Sequence, residues 1–161
     1  MTIRALKNSE SDFLSEMLYE AIFVPEGAVP FPRNIIREPS LSIYFTNWGK
    51  DHFDVALVAV EKEQRLGAIW GRLFSEKQPG YGFIDATTPE LSMAVQPAFR
   101  NQGVGTGLLK AIFQKYQQLK VDQLSLSVVR ANPACRLYQR LGFEVVTSTA
   151  KSWTMVKRLK Q

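Results

Sequence analysis

The 161-residue chain is poor in the side chains that usually announce a site: it has one cysteine, Cys135, and one histidine, His52. A lone thiol can close no internal disulfide and build no multi-thiolate metal centre. Long apolar runs are also missing. The longest, VALVAV at 55–60, falls far short of the ~20 residues that a membrane span requires. The opening MTIRALKNSE lacks the apolar stretch of a secretory leader. With a single cysteine, these features place the expected chain in the reduced cytoplasm, with no membrane partner. No repeat, low-complexity tract or linker interrupts the sequence, so one domain is expected over 1–161. What is present is an ordinary globular composition, 45% hydrophobic, 22% charged and 11% aromatic, which excludes collagen-like and disordered classes. A chain of this length buries roughly 70% of its unfolded surface, enough for a substantial core.

Charge is unevenly distributed. Residues 1–90 carry 9 Lys/Arg against 13 Asp/Glu, whereas residues 91–161 carry 11 against 2. The halves therefore stand at −4 and +9, a division that suggests two electrostatic tasks within one domain. A basic half could hold nucleic acid or a polyphosphate ligand; an acidic half could attract a cation.

Residues 2–6 read as a first strand. Residues 9–22 read as a helix, with Phe13, Met17, Leu18 and Ala21 at helical spacing and Ser9 as N-cap. Pro25, Gly27, Pro30 and Pro32 mark a loop, and a second helix is expected over 40–48 after Pro39. The run 54–60 is a buried strand. Residues 65–74 form its antiparallel partner, with Leu66, Ala68 and Trp70 expected on one face. A glycine-rich loop leads to a strand at 90–95. Residues 104–119 form a helix, 124–129 a strand and 132–140 a short helix, and EVVTST and SWTMVKRL are closing strands. The order is β-α-α-β-β-β-α-β-α-β-β, an α/β domain with a mixed central sheet.

The stretch from Gln96 to Leu109, QPAFRNQGVGTGLL, is the most informative. A strand ends, a glycine-rich turn follows, and a helix begins. Glycines let backbone N–H groups approach a ligand closely, and a helix start favours an anion. A Walker loop requires Gly-Lys followed by Ser or Thr, and the chain's one Gly-Lys pair, Gly49-Lys50, lies outside this stretch and is followed by Asp51. A dinucleotide fingerprint requires glycine at 108, which is Leu. The remaining pattern is R-x-x-G-x-G at Arg100, Gly103 and Gly105. It resembles the acyl-CoA pyrophosphate loop of the GCN5-related N-acetyltransferase (GNAT) superfamily. ELSMAVQPAFR is similar to that family's fourth strand running into the loop. NPACRLYQRLGFE at 132–144 is similar to its later A-x-x-L-Y-x-x-L-G-F segment, matched by Ala134, Leu137, Tyr138, Leu141, Gly142 and Phe143. The specific similarity spans about 90–145. It departs at Asn101, where many relatives have glycine, and at Ala131, where the family's CoA-facing asparagine usually stands. Asn132 is one residue later.

The resemblance implies a mostly antiparallel, GNAT-like sheet flanked by helices, and transfer of acetyl from acetyl-CoA to a primary amine by direct attack, with no metal. It assigns acetyl-CoA binding to Met93, Ala94, Val95, Arg100, Gln102, Gly103, Val104, Gly105, Thr106, Asn132 and Tyr138. An N–H of Met93–Val95 would stabilise the thioester oxygen where the fourth strand bulges and splays from the fifth. Tyr138 would protonate the departing thiol, and Glu90 would accept the amine proton directly or through water, with Asp85 as second candidate. Cys135 is expected as a buried helix residue. Tyr44, Trp48 and Tyr81 would line the acceptor pocket, and the acidic first half suits a cationic small molecule. Two alternatives stay open: a non-catalytic CoA-binding regulatory module, and a protein lysine or N-terminal acetyltransferase. Nucleic acid is not an expected partner, because CoA phosphates account for the basic half. The closing strands could build a homodimer edge.

Overall fold

A computed structural model describes residues 1–159; Lys160 and Gln161, the end of the domain expected over 1–161, lie outside them. The described strands form one sheet: β1 (Thr2–Ala5), β2 (Val55–Glu61), β3 (Gln64–Arg72), β4 (Glu90–Val95), β5 (Gln123–Val129), β6 (Glu144–Ser148) and β7 (Ser152–Arg158). Their spatial order is β1-β2-β3-β4-β5-β7-β6. Every adjacent pair is antiparallel except β4 and β5, which run parallel. The helices are α1 (Ser11–Ala21), α2 (Pro39–Ser42), α3 (Val104–Gln118) and α4 (Ala134–Arg140). The expected element order and the mixed, mostly antiparallel sheet are therefore present.

The sheet is covered on both faces, which is why β2 reads as a continuous apolar run rather than an alternating one. On one face Phe13, Leu14, Met17 and Leu18 of α1 pack with Tyr44 on Ala56, Val58, Ala68 and Trp70. On the other, Leu108, Leu109, Ile112, Phe113 and Tyr116 of α3 pack on Leu57, Ile69, Leu91 and Leu124, and α4 adds Cys135 and Tyr138. Burying each such side chain contributes roughly 1.5–3 kcal/mol. Cys135 is 6% exposed, as expected of a buried helix residue.

Four local expectations are corrected. Leu66 does not share a face with Ala68 and Trp70, because it lies in the α3 cluster and they lie in the α1 cluster. The cause is a bulge: Ala59 pairs with Gly67 but Val60 with Arg65, leaving Leu66 as the extra residue that inverts the alternation. Ser9 is not the N-cap of α1; it lies inside a 3-10 turn, Asn8–Glu10, and α1 starts after Glu10. The helix expected over 40–48 is a single turn at Pro39–Ser42. Beyond it β3 side chains occupy the carbonyls that a continuing helix would use. Trp70 Nε1 donates to the Tyr44 carbonyl at 3.0 Å, and Arg72 Nη1 donates to those of Ile43 and Thr46 at 3.0 and 2.9 Å. Asn47 then takes a left-handed φ of 54°. The last helix also starts later than expected, at Ala134, because Asn132 Oδ1 accepts the Ala134 N–H at 2.9 Å in a turn that precedes it.

Candidate active site

β4 carries the site along its length. It pairs with β3 in unbroken register from Arg72–Glu90 to Gly67–Val95, so no register shift marks the bulge expected at Met93–Val95. The splay, however, is there. β4 and β5 share a single paired position, Glu90 with Ser125, and diverge beyond it. Gln96 N donates to Leu66 O at 2.8 Å on the β3 side. Amide direction alternates along a strand, so the N–H groups of Met93 and Val95 point the other way, into the gap left by β5. Ala94 faces β3 with its backbone and packs its side chain against the α1 cluster.

The loop at the far end of β4 prepares the start of α3. Gly103 adopts φ 84°, ψ 4° as the N-cap, and a Cβ there would meet nothing within 4 Å. Asn101 adopts φ 61°, a left-handed conformation that asparagine tolerates better than most residues. The asparagine that departs from the expected glycine therefore holds a left-handed backbone. The first intrahelical bond is Gly107 N to Gly103 O at 3.1 Å, so the N–H groups of Val104, Gly105 and Thr106 precede the ladder and carry the helix's positive end. A Cβ on Gly105 would stand 3.1 Å from Leu137 Cδ2 and 3.2 Å from Met93 Cε. That contact brings β4, the first turn of α3 and α4 to one place. Gly103→Ala is expected to cost about 1–2 kcal/mol, from backbone strain rather than steric clash. The measurable sign is a Tm lower by roughly 2–8 °C in a folded protein.

Several candidates already have partners within the chain. Arg100 Nε donates to Val95 O at 3.0 Å, and Nη2 lies 3.7 Å from Glu20 Oε2, so the guanidinium ties the end of β4 to α1. Gln102 Nε2 donates to Ala98 O at 3.3 Å. Asn132 is engaged in the turn before α4. Tyr138 is 8% exposed, with its ring set edge-on to Phe143 at 5.8 Å. Burial pushes its hydroxyl up to about 12, so it stays protonated at neutral pH.

Glu90 lies at the opposite end of β4 and is 3% exposed. Its Oε2 accepts a short hydrogen bond from the Tyr44 hydroxyl. Oε1 has no hydrogen-bond partner, and neither has the buried Oγ of Ser125, its register mate on β5. Burial raises Glu90 to about 7, against the opposing pull of the Tyr44 hydroxyl and the Gly82 amide. Asp85 is different. Burial is the largest single influence and raises it, but the hydroxyls of Thr88 and Thr87 and the amides of Thr87 and Thr88 together outweigh it and hold it below the ordinary carboxylate range. A cavity of about 430 Å³ at the starting ends of β4 and β5 is lined by Asp85, Thr88, Lys120, Asp122 and Arg158 among others. Of the carboxylates considered as base, Asp85 lines that cavity and Glu90 does not.

The three pocket aromatics are placed unequally. Tyr81 is 62% exposed and its hydroxyl donates to Ser40 Oγ at 3.2 Å. Trp48 is half-buried under the Arg72 guanidinium, 5.0 Å from its ring centre. Tyr44 is 5% exposed, so it lies beneath the surface instead of forming an open wall. Phe31, another aromatic of the first half, is 45% exposed. The segment Pro79–Phe83 was legible only as a loop, yet its glycines lie directly on Glu90 and β5: a Cβ on Gly80 would be 2.3 Å from Glu90 Oε1, and one on Gly82 2.7 Å from the Leu126 carbonyl carbon.

A mixed sheet whose parallel pair parts beside a helix N-terminus is the GNAT architecture. The model described as the acetyltransferase (GNAT) family matches residues 18–143, and the chain belongs to that family. Among solved structures, the ribosomal-protein-alanine N-acetyltransferase of Brucella melitensis is 20% identical, with 98% of this chain and 99% of that one covered at a TM-score of 0.70. The PaiA N-acetyltransferase of Thermoplasma acidophilum, in complex with coenzyme A, is 16% identical, with 98% and 99% covered at 0.70. YncA of Salmonella typhimurium, solved with its cofactor acetyl-CoA, is 20% identical, with 100% and 95% covered at 0.70. A comparison with curated proteins gives no match. Among the described residues, no helix is long and apolar enough to cross a membrane, and no cluster of three or more His, Cys, Asp or Glu side chains could hold a metal ion.

Proposed function

We propose that the chain is a single-domain, cytoplasmic N-acetyltransferase that moves an acetyl group from acetyl-CoA to the primary amine of a cationic small molecule by direct attack. The observation that carries this reading is Glu90: a carboxyl group at the head of the splayed β4–β5 pair, buried, and raised to about 7. When bound, acetyl-CoA supplies an activated acyl carbon and a thiol leaving group. The N–H groups of Val104, Gly105 and Thr106 and the open backbone at Gly103 fit the pyrophosphate. Arg100 holds that loop in place from behind. The Met93 and Val95 amides are aimed where negative charge would develop on the thioester oxygen.

A free alkyl amine has a pKa of roughly 10.4, so it arrives as an ammonium and must lose a proton before attack. Strand rise puts the Cα atoms of Glu90 and Met93 about 10 Å apart, so Glu90 takes that proton through an intervening water molecule. A base titrating near 7 is half ionised at neutral pH and accepts the proton without holding it too tightly. The acidic balance of residues 1–90 favours approach of the ammonium form.

The test is thiol release from acetyl-CoA with polyamine, aminoglycoside, amino-acid and peptide amines. Turnover with a small polycation is the expected result. Turnover only with a peptide would move the assignment to protein acetylation. Tight CoA binding with no turnover on any amine would make the chain a regulatory CoA-binding module.

A further inference from the structure

The Tyr44 hydroxyl is saturated. It donates to Glu90 Oε2 and accepts the Tyr81 N–H at 2.7 Å. The ring beneath it is fixed by an edge contact to Phe74 at 5.0 Å, and the Tyr44 carbonyl by Trp70 Nε1 at 3.0 Å. A purely apolar role at this depth would be served by phenylalanine, since a buried hydroxyl is costly unless bonded. The other partner, Tyr81, belongs to the strap Pro79–Phe83. Its Gly80 lies so close that a Cβ would be 2.3 Å from Glu90 Oε1 and 2.7 Å from the Tyr44 hydroxyl. A turn bond from Phe83 N to Gly80 O at 3.2 Å closes the strap.

We propose that Tyr44 is a positioning residue for Glu90: its hydroxyl orients the carboxylate and, through the Tyr81 amide, makes the protonation of Glu90 depend on the strap being seated. The inference rests on Glu90 being the base. The groups facing Glu90 are few. α1 offers Phe13, Leu14, Met17 and Leu18, none titratable. β3 offers its register mate Arg72, whose guanidinium is paired with Asp54 at 2.9 Å. β5 offers Ser125. The strap offers backbone and Tyr81, whose hydroxyl is turned to Ser40. Tyr44 is therefore the side chain with a direct hold on the carboxylate.

The two sides of this arrangement act on Glu90 in opposite senses. Removing the Tyr44 hydroxyl takes away a bond to the charged form, which raises the carboxyl's proton affinity. Adding a methyl at Gly80 lifts the strap, which loosens the Gly82 amide's hold but lets water reach the carboxylate; burial is the larger influence on Glu90, so the net effect lowers its proton affinity. The full-length protein labelled with ¹³C at glutamate carboxyls reads this directly, with the Glu90 resonance identified by its loss in Glu90→Gln. In Tyr44→Phe its titration midpoint should rise by about one pH unit, a tenfold change in proton affinity, the scale of a hydrogen bond to a charged group. In Gly80→Ala it should fall. An unmoved midpoint in a folded Tyr44→Phe protein overturns the proposal. If that variant does not fold, an unmoved midpoint in Gly80→Ala does the same. The underlying reading fails separately: a Glu90→Gln protein that still releases thiol at the wild-type rate, with the Glu90 midpoint nonetheless moving as described in the other variants, removes the base and leaves the Tyr44 linkage standing.

Discussion

Glu90→Gln is expected to lower kcat/KM by roughly 10²–10⁴, the scale of a positioned general base, and to erase the acidic limb of its pH profile. The wild-type limb should have its midpoint near 7, with activity rising as pH rises through it, because the ionised carboxylate is the active form. The same burial has a signed effect on stability. A folded-state value of about 7 against an ordinary 4.5 means that the native protein holds the proton more tightly than the unfolded chain between those limits. Stability therefore falls as pH rises from about 4.5 to 7 and stays lower above it, by an amount on the order of 3 kcal/mol. Glutamine cannot ionise, so the variant should lack this pH-dependent loss and should gain Tm relative to wild type on going from pH 5 to pH 8. Differential scanning calorimetry at those two pH values, beside steady-state rates, checks both halves. Loss of activity with an unchanged Tm difference between the two pH values would mean that Glu90 does not ionise in the range that the mechanism needs.

Much of this site was legible in the sequence because it is local. The strand 90–95, the turn 96–103 and the helix start at 104 lie within fifteen residues, and each has a chemical signature in its own composition. The left-handed Gly103 follows from the same stretch, since a glycine before a helix marks a backbone that other residues resist. What was not legible is long-range. The end of the helix expected over 40–48 depends on Trp70 and Arg72, which reach across from β3 to claim its carbonyls. The displacement of Leu66 to the α3 face depends on a pairing shift opposite Ala59 and Val60. Strand periodicity assumes an even alternation and cannot see an inserted residue.

Tyr44 shows the same division at the level of function. Its aromatic character suggested a pocket wall, but its role depends on the 46 residues that separate it from Glu90 and on a strap whose glycines look, in sequence, like any loop. The glycines did carry a signal: a G-Y-G spacing between two strands can mark close backbone approach as well as a turn. Nothing in the sequence alone chooses between those two uses. Arg100 illustrates the converse. Its motif position implied a ligand contact and gave no sign of the further bonds that tie it to Val95 O and Glu20. An arginine that orders the pyrophosphate loop can matter to CoA binding without touching a phosphate.

Tyr138→Phe should retain fold and acetyl-CoA affinity within a few-fold and lose roughly 10²-fold in kcat, the low end of the range for a positioned acid. The ring packs edge-on to Phe143 within the α3 cluster, and phenylalanine preserves that packing. The magnitude follows from the proton affinities. Burial holds the Tyr138 hydroxyl at about 12, whereas a departing alkyl thiol sits near 8.5 by analogy with cysteine. Complete proton transfer from tyrosine to thiolate is thus uphill, on the order of three to four powers of ten. On the proposed reading, Tyr138 would therefore act by donating a hydrogen bond to the sulfur as negative charge builds on it, and the thiolate would take its final proton from solvent. Two consequences separate this from full proton transfer. Rates at saturating acetyl-CoA should show no basic limb below about pH 10, because the donor remains protonated throughout. A poorer leaving group should suffer more from Tyr138→Phe than acetyl-CoA does, since the lost hydrogen bond counts for more where charge on the leaving atom is harder to bear. A near wild-type kcat for Tyr138→Phe with acetyl-CoA, with chemistry shown to limit the rate, would remove Tyr138 from the reaction and mean that the thiolate, acidic enough at roughly 8.5, departs unaided.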